Sequence, residues 1–292
     1  MKPRVHALPV LLVLVPLGAT WATAAQAPWR PSGDPWRTDP AWHDGKAEVC
    51  VYEATRTIYG VPRSYLATAY TDKEHVDPRT TNKSEAEGGL EVFKHHWSER
   101  VPTENYDYDF STMTYTLADS LEAYKLTVGT QEDCGASFKA AWRDGTRLRW
   151  QEFNYFPGEF LSSGEMRNAA GIHFADELTL LCRDFPFGAP EPRELLLVPG
   201  QRSNRQVPFE PLRARVRYAG RETLELPYGT VDAHRLSIVP GRGQPSVGLP
   251  EIELWFAADA SAPLLHALVQ YEDSHGTHYR LRSIERRAYW ER

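Results

Sequence analysis

From Ala47 onward the chain alternates apolar and polar residues over short stretches separated by turn residues. A period of two marks a strand with one face buried and the other exposed. The pattern falls at 47–53, 64–71, 90–99, 106–117, 124–130, 138–142 and 147–156 in the first half. It returns at 195–198, 214–218, 223–226, 230–239, 251–257, 264–272 and 278–289. Turn chemistry separates these runs at Tyr59-Gly60-Val61-Pro62, Arg143-Asp144-Gly145-Thr146, Gly220, Pro227-Tyr228-Gly229 and the segment 273–277. Residues 72–89, charged and containing glycine, read as a loop.

One stretch breaks the period. In GIHFADELTLLCRDFPF, Gly171 to Phe187, the residues Phe174, Leu178, Leu181, Cys182 and Phe185 fall on one narrow face at about 100° per residue. Asp176, Glu177, Thr179, Arg183 and Asp184 fall elsewhere, and only Leu180 departs from the rule. The stretch predicts an amphipathic helix, stopped by Pro186, Pro190 and Pro192. A helix with one apolar face needs a partner to bury it. The predicted fold is mainly β: a curved antiparallel sheet, a half barrel, with one amphipathic helix packed in its concave face.

The first 24 residues have a different character. Lys2 and Arg4 precede an apolar run from Leu8 to Leu17, and Ala22-Thr23-Ala24 offers a small-x-small cleavage pattern. The run is too short to span a bilayer, which takes about 20 residues. Residues 1–24 therefore read as a signal peptide, with no transmembrane anchor later in the chain. This predicts a periplasmic or secreted protein. Residues 25–41, rich in Pro and carrying Trp29 and Trp36, lack periodicity and read as an extended, loosely docked arm. Residues 42–292 form the single β-rich domain.

Charge changes the picture in one respect. Loss of Lys2 and Arg4 with the leader takes the formal net charge from −6 to −8, which excludes a basic nucleic-acid-binding face. The aromatic content of 12 % suits strands and a large core or cavity lining. Three cysteines in an exported chain leave at least one unpaired. Cys134, in the turn QEDCG, and Cys182, on the helix face, are one candidate bridge; Cys50 and Cys182 also read as buried thiols.

Candidate chemistry is sparse. The chain has no Gly-x-Ser-x-Gly elbow, no phosphate-binding loop and no His-Glu-x-x-His helix. His95 and His96 are adjacent in a strand and so face opposite ways. His275 and His278 lie in and after a turn, and no set of three or four ligands suggests a metal. No cofactor is expected. Lys125, between Tyr124 and Leu126, is a candidate for orienting a ligand head group. Asp176 and Arg183, two helical turns apart, are expected to cap the helix or pair with the sheet rather than with each other.

The order of several motifs resembles an exported bacterial family of unknown function with a half-barrel fold like that of the lipoprotein carriers LolA and LolB. The helix FADELTLLCRDFPF, with Asp176 and Arg183, carries the likeness, as do Arg221 to Arg235, Ile252 to Phe256, Asp259 and Pro263-Leu264. Trp42 to Glu48, Tyr59-Gly60, Tyr106 to Met113, Lys125 and Gln131 to Gly135 resemble a related set of exported proteins. The resemblance implies an apolar cavity under the helix. Lys125, Trp150, Phe153, Tyr155, Phe174, Leu178, Leu181 and Trp255 are its candidate ligand-binding residues. Trp255 and Phe256 are neighbours, and face inward together only if a bulge intervenes. The implied function is a monomeric binding or carrier module for a lipid or other apolar or amphipathic envelope ligand. An envelope hydrolase acting on a cell-wall or sugar substrate, and an envelope assembly protein using its Trp-rich arm, are the alternatives. The balance of motifs leans away from an enzyme.

Overall fold

A computed structural model describes residues 29, 31–86, 88–159, 161–168, 171–201, 205–241 and 249–291. The expected signal peptide lies outside these residues. The first-half strands are β1 Ala47–Ile58, β2 Val61–Val76, β3 Leu90–Pro102, β4 Asp107–Leu117, β5 Ala123–Glu132, β6 Gly135–Asp144, β7 Arg147–Phe153 and β8 Ser162–Arg167. The second half supplies β9 Ile172–Phe174, β10 Arg193–Val198, β11 Leu212–Leu226, β12 Gly229–Pro240, β13 Ile252–Ala257, β14 Leu268–Asp273 and β15 His278–Arg287.

These strands make one curved sheet in the order β8-β7-β6-β5-β4-β3-β2-β1-β15-β14-β13-β12-β11-β10-β9. Every neighbouring pair is consecutive in sequence except β1 and β15, which bring the two ends of the domain together. The arrangement is that of an up-and-down barrel left open between β8 and β9. All pairs are antiparallel except β9 with β10. Side chains rather than backbone bonds bridge part of the gap: Leu126, Val128, Ala141 and Leu148 from one side pack with Ile172, Phe174, Val198 and Phe209 from the other.

Turn residues fix the registers. Tyr59 and Gly60 both take positive φ between the paired Ile58 and Val61, the geometry of a two-residue hairpin turn. The expected turn at Gly220 is instead a bulge, where the register with β12 shifts between Tyr218 and Gly220, so two expected strands are one, β11. Strand β8 gave no sequence signal: its SSGEMR is polar on an edge with one neighbour, where no alternating apolar set is needed.

The predicted helix is the largest correction. Ile172–Phe174 is the strand β9, and only Leu178–Leu181, here α1, is α-helical, between 3-10 turns at Ala175–Glu177 and Cys182–Asp184. The predicted apolar face is buried as expected, but so are Leu180, Glu177, Arg183 and Asp184. The segment is a plug inside the sheet, and the buried side chains of Glu177, Arg183 and Asp184 each find partners there. Glu177 accepts from Thr116 Oγ1 (3.1 Å) and the Phe174 N–H (3.3 Å), and lies 2.6 Å from His173 Nδ1. Arg183 makes two hydrogen bonds to Glu48 on β1, as its expected pairing with the sheet required. Asp184 accepts from the Ser32 N–H and from the Trp36 and Arg37 side chains.

Those last contacts also overturn the loosely docked arm. Residues Pro35–Thr38 and Pro40–His43 form 3-10 turns started by the side chains of Asp34 and Asp39. Trp29, Trp36 and Trp42 are buried. Trp36 stacks on Phe93 of β3, Trp42 meets the same ring edge-on, and Trp29 packs on Phe185. Burying the two indoles of the arm, with Trp42 just beyond it, outweighs the arm's polarity. The candidate Cys134–Cys182 bridge is not formed: all three cysteines are free. Cys182 is enclosed in the core, where burial pushes its thiol well up, and Cys134 is exposed on the β5–β6 hairpin beside the Tyr106 hydroxyl.

Candidate functional site

Alternation places Phe93, His95, Trp97 and Glu99 of β3 on the concave face. Opposite Trp97 and across β2, the strands carry Ala69, Ala67 and Ala54, whose small side chains leave room for large rings. Tyr52 stacks on Trp97 at a centroid distance of 5.1 Å, Trp97 meets Tyr279 of β15 at 4.9 Å, and Tyr279 meets its cross-strand partner Tyr271 of β14 at 5.1 Å. The result is an aromatic wall facing α1.

Between this wall and the plug lies a cavity of about 70 Å³, lined by Trp97, Glu99, Thr112, Ala175, Asp176, Leu178, Thr179, Gly200, Pro250, Ile252, Tyr271 and Tyr279. It is far smaller than the ~300–1,000 Å³ of a pocket for a drug-sized ligand. The space under the helix is thus mostly filled core, with a small chamber left at one place. Gly200 borders it because its backbone approaches Asp176: a Cβ there would sit 2.8 Å from the Asp176 Oδ1.

The polar groups of the wall are organised. Glu99 Oε1 accepts from the hydroxyls of Tyr65 (2.5 Å) and Tyr279 (2.7 Å), and its Oε2 is 3.6 Å from the Arg56 guanidinium. Tyr271 donates to Asp273, the residue that shapes the β14–β15 turn by accepting from the N–H groups of His275 and Thr277. Trp97 Nε1–H donates to His95 Nε2 at 2.8 Å. That bond assigns the His95 proton to Nδ1, which is 2.8 Å from Thr71 Oγ1. His95 Nε2 is also 3.0 Å from Thr179 Oγ1 on the plug. Burial, aided by the Arg183 charge, lowers the His95 pKa to about 3, since a second ring proton would confront the Trp97 N–H.

The sign of the linkage follows. Unfolded, this histidine takes up a proton below about pH 6.5, whereas the folded protein refuses it until about pH 3. Its contribution is complete above pH 6.5 and falls by about 1.4 kcal/mol per pH unit as acid is added across that window. Urea unfolding at pH 6.5 and pH 5.0 is expected to show the parent losing about 2 kcal/mol more than His95→Gln. Equal losses in the two proteins would show that His95 is not held neutral by the fold.

Of the eight candidate binding residues, only Leu178 lines this cavity. Phe174 and Leu181 pack in the core. Trp150 is stacked on Phe209, with its indole over Gly164, where a Cβ would be 2.9 Å away. Phe153 and Tyr155 are 55 % and 47 % exposed. Trp255 donates to Glu222 and packs with Arg235; a bulge in the pairing with β14 lies between it and Phe256, and both are buried in one hydrophobic cluster. Lys125 also lies on the face away from the cavity, where it reaches the Thr81 carbonyl at 2.9 Å and the Tyr115 ring. Trp97, Glu99, Asp176, Thr179, Tyr271 and Tyr279 were not singled out for binding. The i, i+2 run His95-Trp97-Glu99 and the turn that sets Tyr271 opposite Tyr279 were the available signals.

A second buried polar pair lies elsewhere on the concave face: Lys139 of β6 and Glu152 of β7, 3.4 Å apart. Lys139 also donates to the Val207 carbonyl, and burial holds its pKa below the usual lysine range.

The chain matches no protein-family model, and no curated protein is similar to it in sequence. Among solved structures, it is similar to the crystal structure of a beta-barrel-like protein of domain of unknown function DUF1849 from Brucella abortus. The TM-score is 0.50 at 8 % identity, over 82 % of this chain and 98 % of that chain. At that identity the likeness concerns the fold, and it extends over nearly the whole of the other protein: this chain has a beta-barrel-like fold that also occurs in a domain of unknown function.

Proposed function

We propose that the protein is an exported binding module of the cell envelope, periplasmic or secreted, that holds a small or amphipathic ligand at the cavity beneath α1. The observation that carries this reading is the chamber itself: the sheet packed around an internal plug leaves a space with both aromatic and polar walls. Its size favours a small molecule, or the head group of an amphiphile, over an enclosed acyl chain. The leader at residues 1–24 supports the location.

The test is native mass spectrometry of protein released gently from its own cells. A small co-purified molecule is expected, absent from the variant Ala175→Leu, which extends a side chain from the cavity wall. A parent protein with no adduct, whose thermal unfolding is unchanged by exhaustive dialysis and by that substitution, would remove the basis for a binding role.

A further inference from the structure

A second hollow opens between the β11–β12 hairpin and the loop that joins β13 to β14. Its volume is about 330 Å³, within the ~300–1,000 Å³ of ligand pockets, and it shares no lining residue with the chamber beneath α1. Ala258, Asp259 and Leu264 line it from the loop, and Arg221, Tyr228 and Asp232 from the hairpin. The loop is held in a strained shape. Leu265 and His266 are consecutive non-glycine residues at φ values of 42° and 55°, a conformation that persists only where the surroundings impose it. Buried Leu265 and Ala267 anchor the loop in the core, the His266 N–H donates to the Asp259 carbonyl (3.0 Å), and the Ala258 N–H donates to the Asp232 carbonyl (2.8 Å). The imposed shape sets Asp259 and Leu264 at the wall of the hollow.

The charged groups here are paired, and the pairing defines the ligand. Asp232 Oδ2 accepts from Arg221 (2.9 Å) and its Oδ1 from the Thr223 hydroxyl (2.7 Å). Asp259 Oδ1 accepts from the Ser261 N–H (2.8 Å) and hydroxyl (2.6 Å). These bonds orient the two carboxylates and the guanidinium without exhausting them, since a guanidinium carries five N–H donors and a carboxylate about four acceptor sites. Tyr228, 39 % exposed, makes no side-chain hydrogen bond and no stacking contact among the described residues. Ionic ligands fit this lining poorly. An anion meets two carboxylates, and a cation meets a guanidinium that already holds one of them. A neutral polyol suits it, because each hydroxyl both donates to a carboxylate and accepts from a guanidinium, and the C–H face of a pyranose ring covers an aromatic or aliphatic side chain. We propose that this hollow is a saccharide site for one neutral pyranose unit, with Arg221 and Asp232 holding adjacent hydroxyls, Asp259 a third, and Tyr228 and Leu264 packing on the ring. The site is independent of the chamber beneath α1 and of the role proposed for it. A free sugar and a unit of an envelope glycan present the same ring to these residues.

Saturation-transfer NMR of the mature chain tests it. The probes are glucose, galactose, mannose and N-acetylglucosamine, with glucuronate and glucosamine as the anionic and cationic counterparts, and an oligosaccharide of each neutral sugar. The expected result is saturable binding of at least one neutral sugar, tighter than that of either charged one. Tyr228→Ala is expected to weaken it at least tenfold and to fold as the parent does, because the bond from Tyr228 to the Leu281 carbonyl runs through the backbone. Arg221→Gln, which keeps a donor for Asp232, gives a second reading with a loss of the same size. Ala175→Leu, in the wall of the other chamber, is expected to leave sugar binding unchanged. Tighter binding of the oligosaccharide assigns the unit to a glycan, and equal binding assigns it to a free sugar. Binding of glucuronate or glucosamine alone, neutral-sugar binding that Tyr228→Ala and Arg221→Gln leave intact, or silence from every probe would each overturn the saccharide site, whatever the chamber beneath α1 holds.

Discussion

Arg183→Ala is expected to destabilise the protein by about 3–5 kcal/mol, the cost of breaking a buried ion pair from one side. Arg183 and Glu48 are each 1 % exposed, and the guanidinium meets the carboxylate twice, at 2.6 and 3.0 Å. The pair is the bolt between the internal plug and β1. Removing the guanidinium strands the Glu48 carboxylate in a region with Cys50 and Tyr52, whose own acid groups are pushed up by burial. Neither neighbour can supply positive charge. The double replacement Arg183→Met with Glu48→Leu is expected to restore most of the loss, since an apolar pair needs no charge compensation. Urea denaturation of the three proteins decides it. A loss under about 1 kcal/mol for Arg183→Ala would mean that water reaches Glu48 and that the plug is not sealed.

Trp36→Ala carries the second large expected effect, about 3–5 kcal/mol. Trp36 is 0 % exposed although it lies in a segment rich in proline and polar residues. Its ring stacks on Phe93 at 5.2 Å and meets Trp42 edge-on at 6.2 Å, and its indole N–H donates to Asp184. The substitution therefore opens a cavity and removes a donor from a buried carboxylate. That carboxylate also accepts from Ser32 and Arg37, so the arm and the plug should loosen together. Faster proteolysis near residue 36 and a lowered global unfolding midpoint are both expected. A variant that loses the arm to protease while keeping the parent's midpoint would show that the arm is an appendage and not part of the fold.

These two sites mark where sequence reading succeeds and where it stops. Strands were legible because alternation survives whenever one face is buried, and Asp144-Gly145 and the 273–277 segment announced their turns. The plug was not legible as a plug. Its apolar period is real, but period alone cannot distinguish a helix lying on a sheet from a short coil buried within one. What separates them is whether Glu177, Arg183 and Asp184 find partners, and those partners come from Thr116, Glu48 and Trp36, each far away in the chain. The arm fails for the same reason: polarity measured along the chain says nothing of its two indoles, which find Phe185 and Phe93.

The candidate site was hidden by a further step. None of the aromatic residues expected to line a pocket does so: Phe153 and Tyr155 fall on exposed surface, while Trp97 and Tyr279 form the wall. A one-residue change of parity exchanges inside for outside, and parity is set by register. Across the gap between β8 and β9 no backbone pairing sets it at all.

By itself, then, the sequence determined the strand content, most turns, the curved antiparallel sheet and the burial of Phe174, Leu178, Leu181, Cys182 and Phe185, because each follows from local periodicity and turn chemistry. Only the tertiary structure decided that the helix is a single turn, that the arm is core, and that the space beside the plug is a small chamber with aromatic and polar walls instead of the expected apolar cavity. Those depend on contacts between residues far apart in the chain, such as Arg183 with Glu48 and Trp97 with Tyr279, where side-chain volume and the pairing of buried charges settle what fits.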